Sequence, residues 1–186
     1  MVISSFNFGG PFSRWAVYAH KDDTGLGRMA SDVRSVLGFG AHLVIPSERL
    51  HDHPVNGVSE QWLPADASTE AIESLLSGLD GILFFERHNW HPNILKIARG
   101  MGVALVCVPM WEWFKGDAKE WHYCDLFVCP SRFTEQVVHS YGFTNTCCLN
   151  WPLHLAKLPH RQVNGPARHF VHNAGLVDQD DRKGTR

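Results

Sequence analysis

The sequence predicts an α/β fold, a mostly parallel sheet with helices on both faces, and three observations carry that expectation. Short apolar runs of strand length alternate along the chain with longer amphipathic segments, as they do where strands and covering helices succeed one another. Most of these runs are almost continuously apolar, the mark of strands buried on both sides. The first of them leads directly into a glycine-rich turn, Lys21 to Ala30, of the kind that joins a strand to a helix start.

Strands are expected at Trp15 to Ala19, His42 to Ile45, Gln61 to Leu63, Gly81 to Phe85, Ala104 to Val108, Leu126 to Cys129 and Thr146 to Leu149. A first helix is expected over Leu26 to Leu37, where Leu26, Ala30, Val33 and Leu37 recur on one face. Further helices are expected over Ser68 to Leu76, Pro92 to Met101 and Phe133 to Tyr141. Ser68 and Pro92 suit helix starts, and Gly78, Gly102 and Gly142 suit helix exits. The sum is a Rossmann-like domain over residues 1–151. From Trp151 to Pro166 the chain carries three prolines, a glycine and several polar residues, so residues 152–167 are expected to be a linker. His169-Phe170-Val171-His172 then has the character of a new strand, making residues 168–186 the opening of a second domain.

Composition narrows the class. At 186 residues the chain matches one domain with a short extension. Hydrophobic residues make up 44% and charged residues 19%, and no apolar run approaches the ~20 residues that span a bilayer, so a soluble protein is expected. Met1 to Phe6 lack the basic and long apolar regions of an export signal, which predicts a cytoplasmic location. The five cysteines are odd in number and lie partly inside expected strands, which predicts reduced thiols. A net charge of -2 gives no global attraction to nucleic acid.

The turn after the first strand reads G-x-G-x-x-A over Gly25, Gly27 and Ala30. Glycines there admit a tight turn and let a ligand approach the amides at the helix start, where the dipole favours anions. With Glu48 just beyond the second strand, the pattern also fits a dinucleotide fingerprint. A plain strand-to-helix turn without a ligand favours the same glycines and is the alternative.

Several segments together resemble two-domain (GT-B) retaining glycosyltransferases of the family 4-like type. Asp23 to Asp32 resembles their first loop and helix, and Cys124 to Thr134 resembles their "D-x-h-h-x-x-S-x-h-x" strand and turn. Tyr141-Gly142-Phe143 and Asn150-Trp151-Pro152-Leu153 follow in the family's order, and Gly175 with Arg182-Lys183-Gly184 is similar to the "G…(R)KG" element that opens the donor domain. The resemblance implies transfer of a sugar from a nucleotide-sugar donor to an acceptor hydroxyl, with no cofactor. It further implies that this chain holds the acceptor side and the first residues of the donor side, and is inactive alone.

Open α/β sheets bind ligands at the carboxyl ends of their strands. The acceptor-binding candidates are therefore Gly25, Gly27, Arg28, Glu86, Arg87, Trp111 and Trp113, with His88 and Glu112 as candidate catalytic groups. Trp111 and Trp113 are suited to stack on a sugar or base face; packing beneath a loop is the alternative. Gly175, Arg182 and Lys183 are the candidate donor-phosphate residues, although Leu176 stands where the family has an arginine, and a solvated charge run is the alternative there. His51-x-His53, His88-x-x-His91, Cys124-x4-Cys129 and Cys147-Cys148 offer ligand types without paired zinc spacing, so no metal is expected. Ser131 lacks the G-x-S-x-G elbow of a hydrolase. Two other functions remain open: a nicotinamide-dinucleotide domain using Gly25, Gly27 and Glu48, and a non-catalytic module that binds carbohydrate or a partner. The acceptor class is open among saccharide, lipid-linked glycan, protein and modified DNA.

Overall fold

A computed structural model describes residues 12–22, 24–46, 59–86 and 91–149, all within a unit that spans Met1–Leu153. The expected α/β, Rossmann-like architecture is present. Strands β1 (Trp15–His20), β2 (Ala41–Ile45), β3 (Ser59–Trp62), β4 (Gly81–Phe85), β5 (Ala104–Val108), β6 (Leu126–Cys129) and β7 (Thr146–Cys148) form one sheet in the order β3-β2-β1-β4-β5-β6-β7. Every neighbouring pair is parallel. The order reverses between β1 and β4, because β1 to β3 build outward on one side and β4 to β7 on the other.

The two faces are covered unequally. Helix α1 (Gly25–Leu37) packs Ala30 and Val33 onto Val17, Ala19, Leu83 and Phe85. Helices α2 (Thr69–Leu76), α3 (Ile94–Gly100) and α4 (Arg132–Ser140) bury Ile72, Leu76, Ile94, Leu95, Ala98 and Val138 on the opposite face. Alternation along each strand divides the core in this way: on β4, Ile82 and Phe84 face α2 and α3, while Leu83 and Phe85 face the α1 side.

Helix ends follow local chemistry. Ser68 caps α2 by accepting a bond from the Ala71 amide at 3.2 Å, and Ser131 caps α4 through the Thr134 amide at 3.1 Å. Gly78, Gly102 and Gly142, the expected helix exits, have φ of 80°, 75° and 88°. Two expectations are corrected. Leu37 is 38% exposed, because α1 is already ending at the left-handed Gly38. Pro92 precedes α3, which starts at Ile94 after Asn93.

The β5–β6 connection covers its side of the sheet with rings rather than a long helix. A 3-10 turn over Lys119–Tyr123 buries Trp121, whose indole N–H donates to the Lys115 carbonyl at 2.7 Å. Phe114 sits 4.9 Å from Trp121 and 5.7 Å from Phe127 between ring centroids, and Trp121 lies parallel to Phe84 at 6.5 Å. This aromatic layer holds the loop that leaves β5. Trp121→Ala is expected to cost about 3–5 kcal/mol, the usual result of emptying so large a buried site. Trp111→Ala, at a position 45% exposed, is expected to cost under about 1 kcal/mol; urea denaturation of both variants measures the difference.

Candidate functional site

The edge formed by the carboxyl ends of the strands has its crevice where the strand order reverses, here between β1 and β4. At the exit of β1, His20 Nδ1 lies 3.2 Å from the Ile45 carbonyl and Lys21 Nζ lies 2.7 Å from Glu60 Oε2. Asp22 and Thr24 then build the start of α1. The Thr24 amide donates to Asp22 Oδ1 at 3.0 Å, and the Thr24 hydroxyl donates to the same oxygen. Thr24 Oγ1 accepts in turn from the Gly27 amide at 3.4 Å.

Gly25 and Gly27, alike in the sequence, differ in role. A Cβ on Gly27 would overlap the Asp22 carbonyl oxygen and lie 2.8 Å from its carbon, so the missing side chain is what lets α1 sit on the end of β1. Gly25 is exposed, and a Cβ there would meet no heavy atom within 4 Å, which leaves an open approach to the helix start. Arg28 is exposed on the first turn of α1. The Asp22 carboxylate already complements the positive end of the helix dipole. A dinucleotide diphosphate brought to this helix start would meet a negative charge, whereas a hydroxyl-bearing ligand would meet an acceptor.

A buried polar group braces the junction from beneath. Arg34, 4% exposed, donates from Nη1 to His42 Nδ1 at 2.7 Å, and His42 Nε2 donates to the Ala19 carbonyl at 3.1 Å. Both ring nitrogens are committed with Nδ1 accepting, which requires neutral imidazole. Burial, followed by the nearby Arg34 charge, pushes the His42 pKa down to about 4.

At the exit of β4, Glu86 has φ of 60°, a left-handed backbone that costs a residue with a side chain about 1 kcal/mol or more. Its amide donates to the Val108 carbonyl at 3.0 Å, fixing the exits of β4 and β5 together. Beyond β5, Trp111, Glu112 and Trp113 form an exposed turn closed by the Trp113 and Phe114 amides, each 3.0 Å from the Met110 carbonyl. Trp111 and Trp113 are 45% and 44% exposed, so they do not pack beneath the loop; Phe114 and Trp121 do. Trp111 meets Phe133 edge to face at 5.4 Å, and Phe133 is itself 55% exposed. Phe133 was absent from the sequence-derived candidates. Its signal is phase: α4 buries Thr134 and Val138, four apart, and residue 133 lies off that stripe.

Of the candidates, then, Gly25, Gly27 and Arg28 lie at the exit of β1, Glu86 at that of β4, and Trp111, Glu112 and Trp113 at that of β5. Arg87, His88, Glu48, Gly175, Arg182 and Lys183 fall outside the described residues, as do the expected linker and second-domain strand. Among the described residues no group of three His, Cys, Asp or Glu side chains is placed to hold a metal ion, and no helix is long and apolar enough to cross a membrane. All five cysteines are free thiols.

Together these features define an open-sheet α/β domain whose strand order reverses between β1 and β4. Comparison with protein-family models, with curated proteins and with solved structures returned no match to this chain.

Two outcomes are expected. Gly27→Ala destabilises by about 1–3 kcal/mol through overlap with the β1 end, whereas Gly25→Ala stabilises by about 0.5–1 kcal/mol by reducing unfolded-chain freedom; chemical denaturation of the pair measures both. For His42 the folded pKa, about 4, lies below the ordinary 6.5. Its contribution is therefore complete above pH 6.5 and is lost as pH falls through 4, by about 3 kcal/mol in all. Stability measured across that window falls less steeply for His42→Gln than for the native chain.

Proposed function

We propose that this domain is the acceptor-binding side of a GT-B-type retaining glycosyltransferase, which transfers a sugar from a nucleotide-sugar donor to an acceptor hydroxyl. The observation that carries the reading is the character of the carboxyl edge: exposed aromatic rings at Trp111, Trp113 and Phe133, with the Asp22 carboxylate bonded to Thr24 at the start of α1. Aromatic faces suit the C–H faces of a pyranose, and carboxylates at Asp22, Glu86 and Glu112 suit its hydroxyl groups as acceptors. The resemblance of Asp23 to Asp32 and of Cys124 to Thr134 to the family supports the same assignment. In this scheme Glu112 and His88 are the candidate acid–base groups near the acceptor hydroxyl, and the strained Glu86 positions the β4 exit. Gly175, Arg182 and Lys183 would hold the donor diphosphate, with nucleotide sugar and acceptor glycan, lipid-linked saccharide or other hydroxyl compound as the partners.

The Asp22 carboxylate beside the helix start disfavours the dinucleotide alternative, because an adenine dinucleotide brings its negatively charged diphosphate to that same position.

A glycan array probed with this chain tests the proposal. A subset of glycans is expected to be retained, and Trp111→Ala and Phe133→Ala each weaken retention about two- to tenfold, the range that aromatic stacking supports. Absence of glycan retention, or retention unchanged in both variants, contradicts it.

A further inference from the structure

The edge strand β7 places two cysteines side by side. In the parallel β6–β7 register, Phe127 pairs with Thr146, Val128 with Cys147 and Cys129 with Cys148. Paired residues of adjacent strands project to the same face, so Cys129 and Cys148 share the α4 side. Thr146 marks that side too, its hydroxyl lying 2.7 Å from His139 Nε2 and 3.3 Å from Glu135 Oε1, both on α4. Cys147 projects to the other face, with Val128. Neighbouring strands lie about 4.8 Å apart, within the Cα separation of roughly 4.4–6.8 Å that disulfides span.

The two thiols differ in a way that suits sequential chemistry. Cys129 is fully buried and Cys148 is half-buried on the sheet's outermost strand. Arg132, the first residue of α4, is bonded to Glu135 at 2.9 Å and lies near enough to Cys148 for the two to interact electrostatically. Its partial exposure makes Cys148 the thiol of the pair that a peroxide in solution meets first.

We propose that Cys148 and Cys129 form an oxidisable thiol pair that hydrogen peroxide converts into a cross-strand disulfide joining β7 to β6. The Cys148 thiolate attacks the peroxide O–O bond, taking one oxygen as a sulfenic acid while hydroxide leaves and is protonated to water. The Cys129 sulfur then attacks the sulfenic sulfur; the S–S bond forms, and the Cys129 proton and the sulfenic hydroxyl depart as a second water. Two thiols are oxidised by two electrons and one peroxide is reduced. Burial pushes the Cys129 thiol up to about 12, and its full enclosure leaves first attack on the peroxide to the more accessible Cys148. β7 has three residues and, among the described residues, pairs with β6 alone.

The test treats the reduced chain with hydrogen peroxide, alkylates the remaining thiols and maps linkages by peptide mass spectrometry. A Cys129–Cys148 link is expected, reversed by dithiothreitol, abolished in Cys148→Ser and retained in Cys147→Ser. In Cys129→Ser, Cys148 accumulates as a sulfenic acid that dimedone traps. Amide exchange of Thr146 to Cys148 slows in the oxidised chain, a readout independent of the mapping. A Cys147–Cys148 link, a link to Cys107 or Cys124, or oxidation of Cys148 to sulfinic and sulfonic acid without any link overturns the proposal.

Discussion

The seating of α1 on the end of β1 is the constraint on which the carboxyl edge of the sheet depends. Gly27 has no side chain, so the helix starts in contact with the Asp22 carbonyl. That closeness brings the Asp22 carboxylate and Thr24 into one hydrogen-bonded cap. Arg34 on the same helix reaches His42 on β2, and His42 returns to the Ala19 carbonyl on β1. Helix, first strand and second strand are thereby tied at two levels, at the crevice and two turns behind it. Since parallel strands on either side of the reversal take their register from β1, displacement of this junction would move both walls of the crevice.

The rest of the edge is held by a different means. The exits of β4 and β5 are locked by the Glu86–Val108 bond and by the aromatic layer of Phe114, Trp121 and Phe127 under the following loop. The buried rings lie below, while Trp111 and Trp113 stand partly exposed above them. The strained φ of Glu86 is a local cost of about 1 kcal/mol or more carried by a well-packed base.

Much of the fold was legible in the sequence because buried parallel strands are apolar on both faces. Gly81 to Phe85 and Ala104 to Val108 coincide with β4 and β5 to the residue, and no helix end lies more than two residues from its expected position. The 3-10 turn at Lys119–Tyr123 was not legible, since one turn has no period to detect. Trp121 looked no different from Trp111 in the sequence; only the loop's path separates a core ring from an exposed one. At the site, G-x-G-x-x-A located the junction and could not assign its glycines, because close packing and ligand approach select the same residue. The role of Asp22 depends on where its carboxylate turns, and His42 looked like any strand residue until Arg34 was seen beside it.

The central claim is that the Asp22 carboxylate beside the start of α1 disfavours a phosphate there, and amide NMR tests it most directly. An adenine dinucleotide titrated into the chain to millimolar concentration is predicted to leave the amide resonances of Thr24, Gly25, Leu26 and Gly27 without saturable shifts. Saturable shifts of those amides at micromolar dinucleotide would contradict the account.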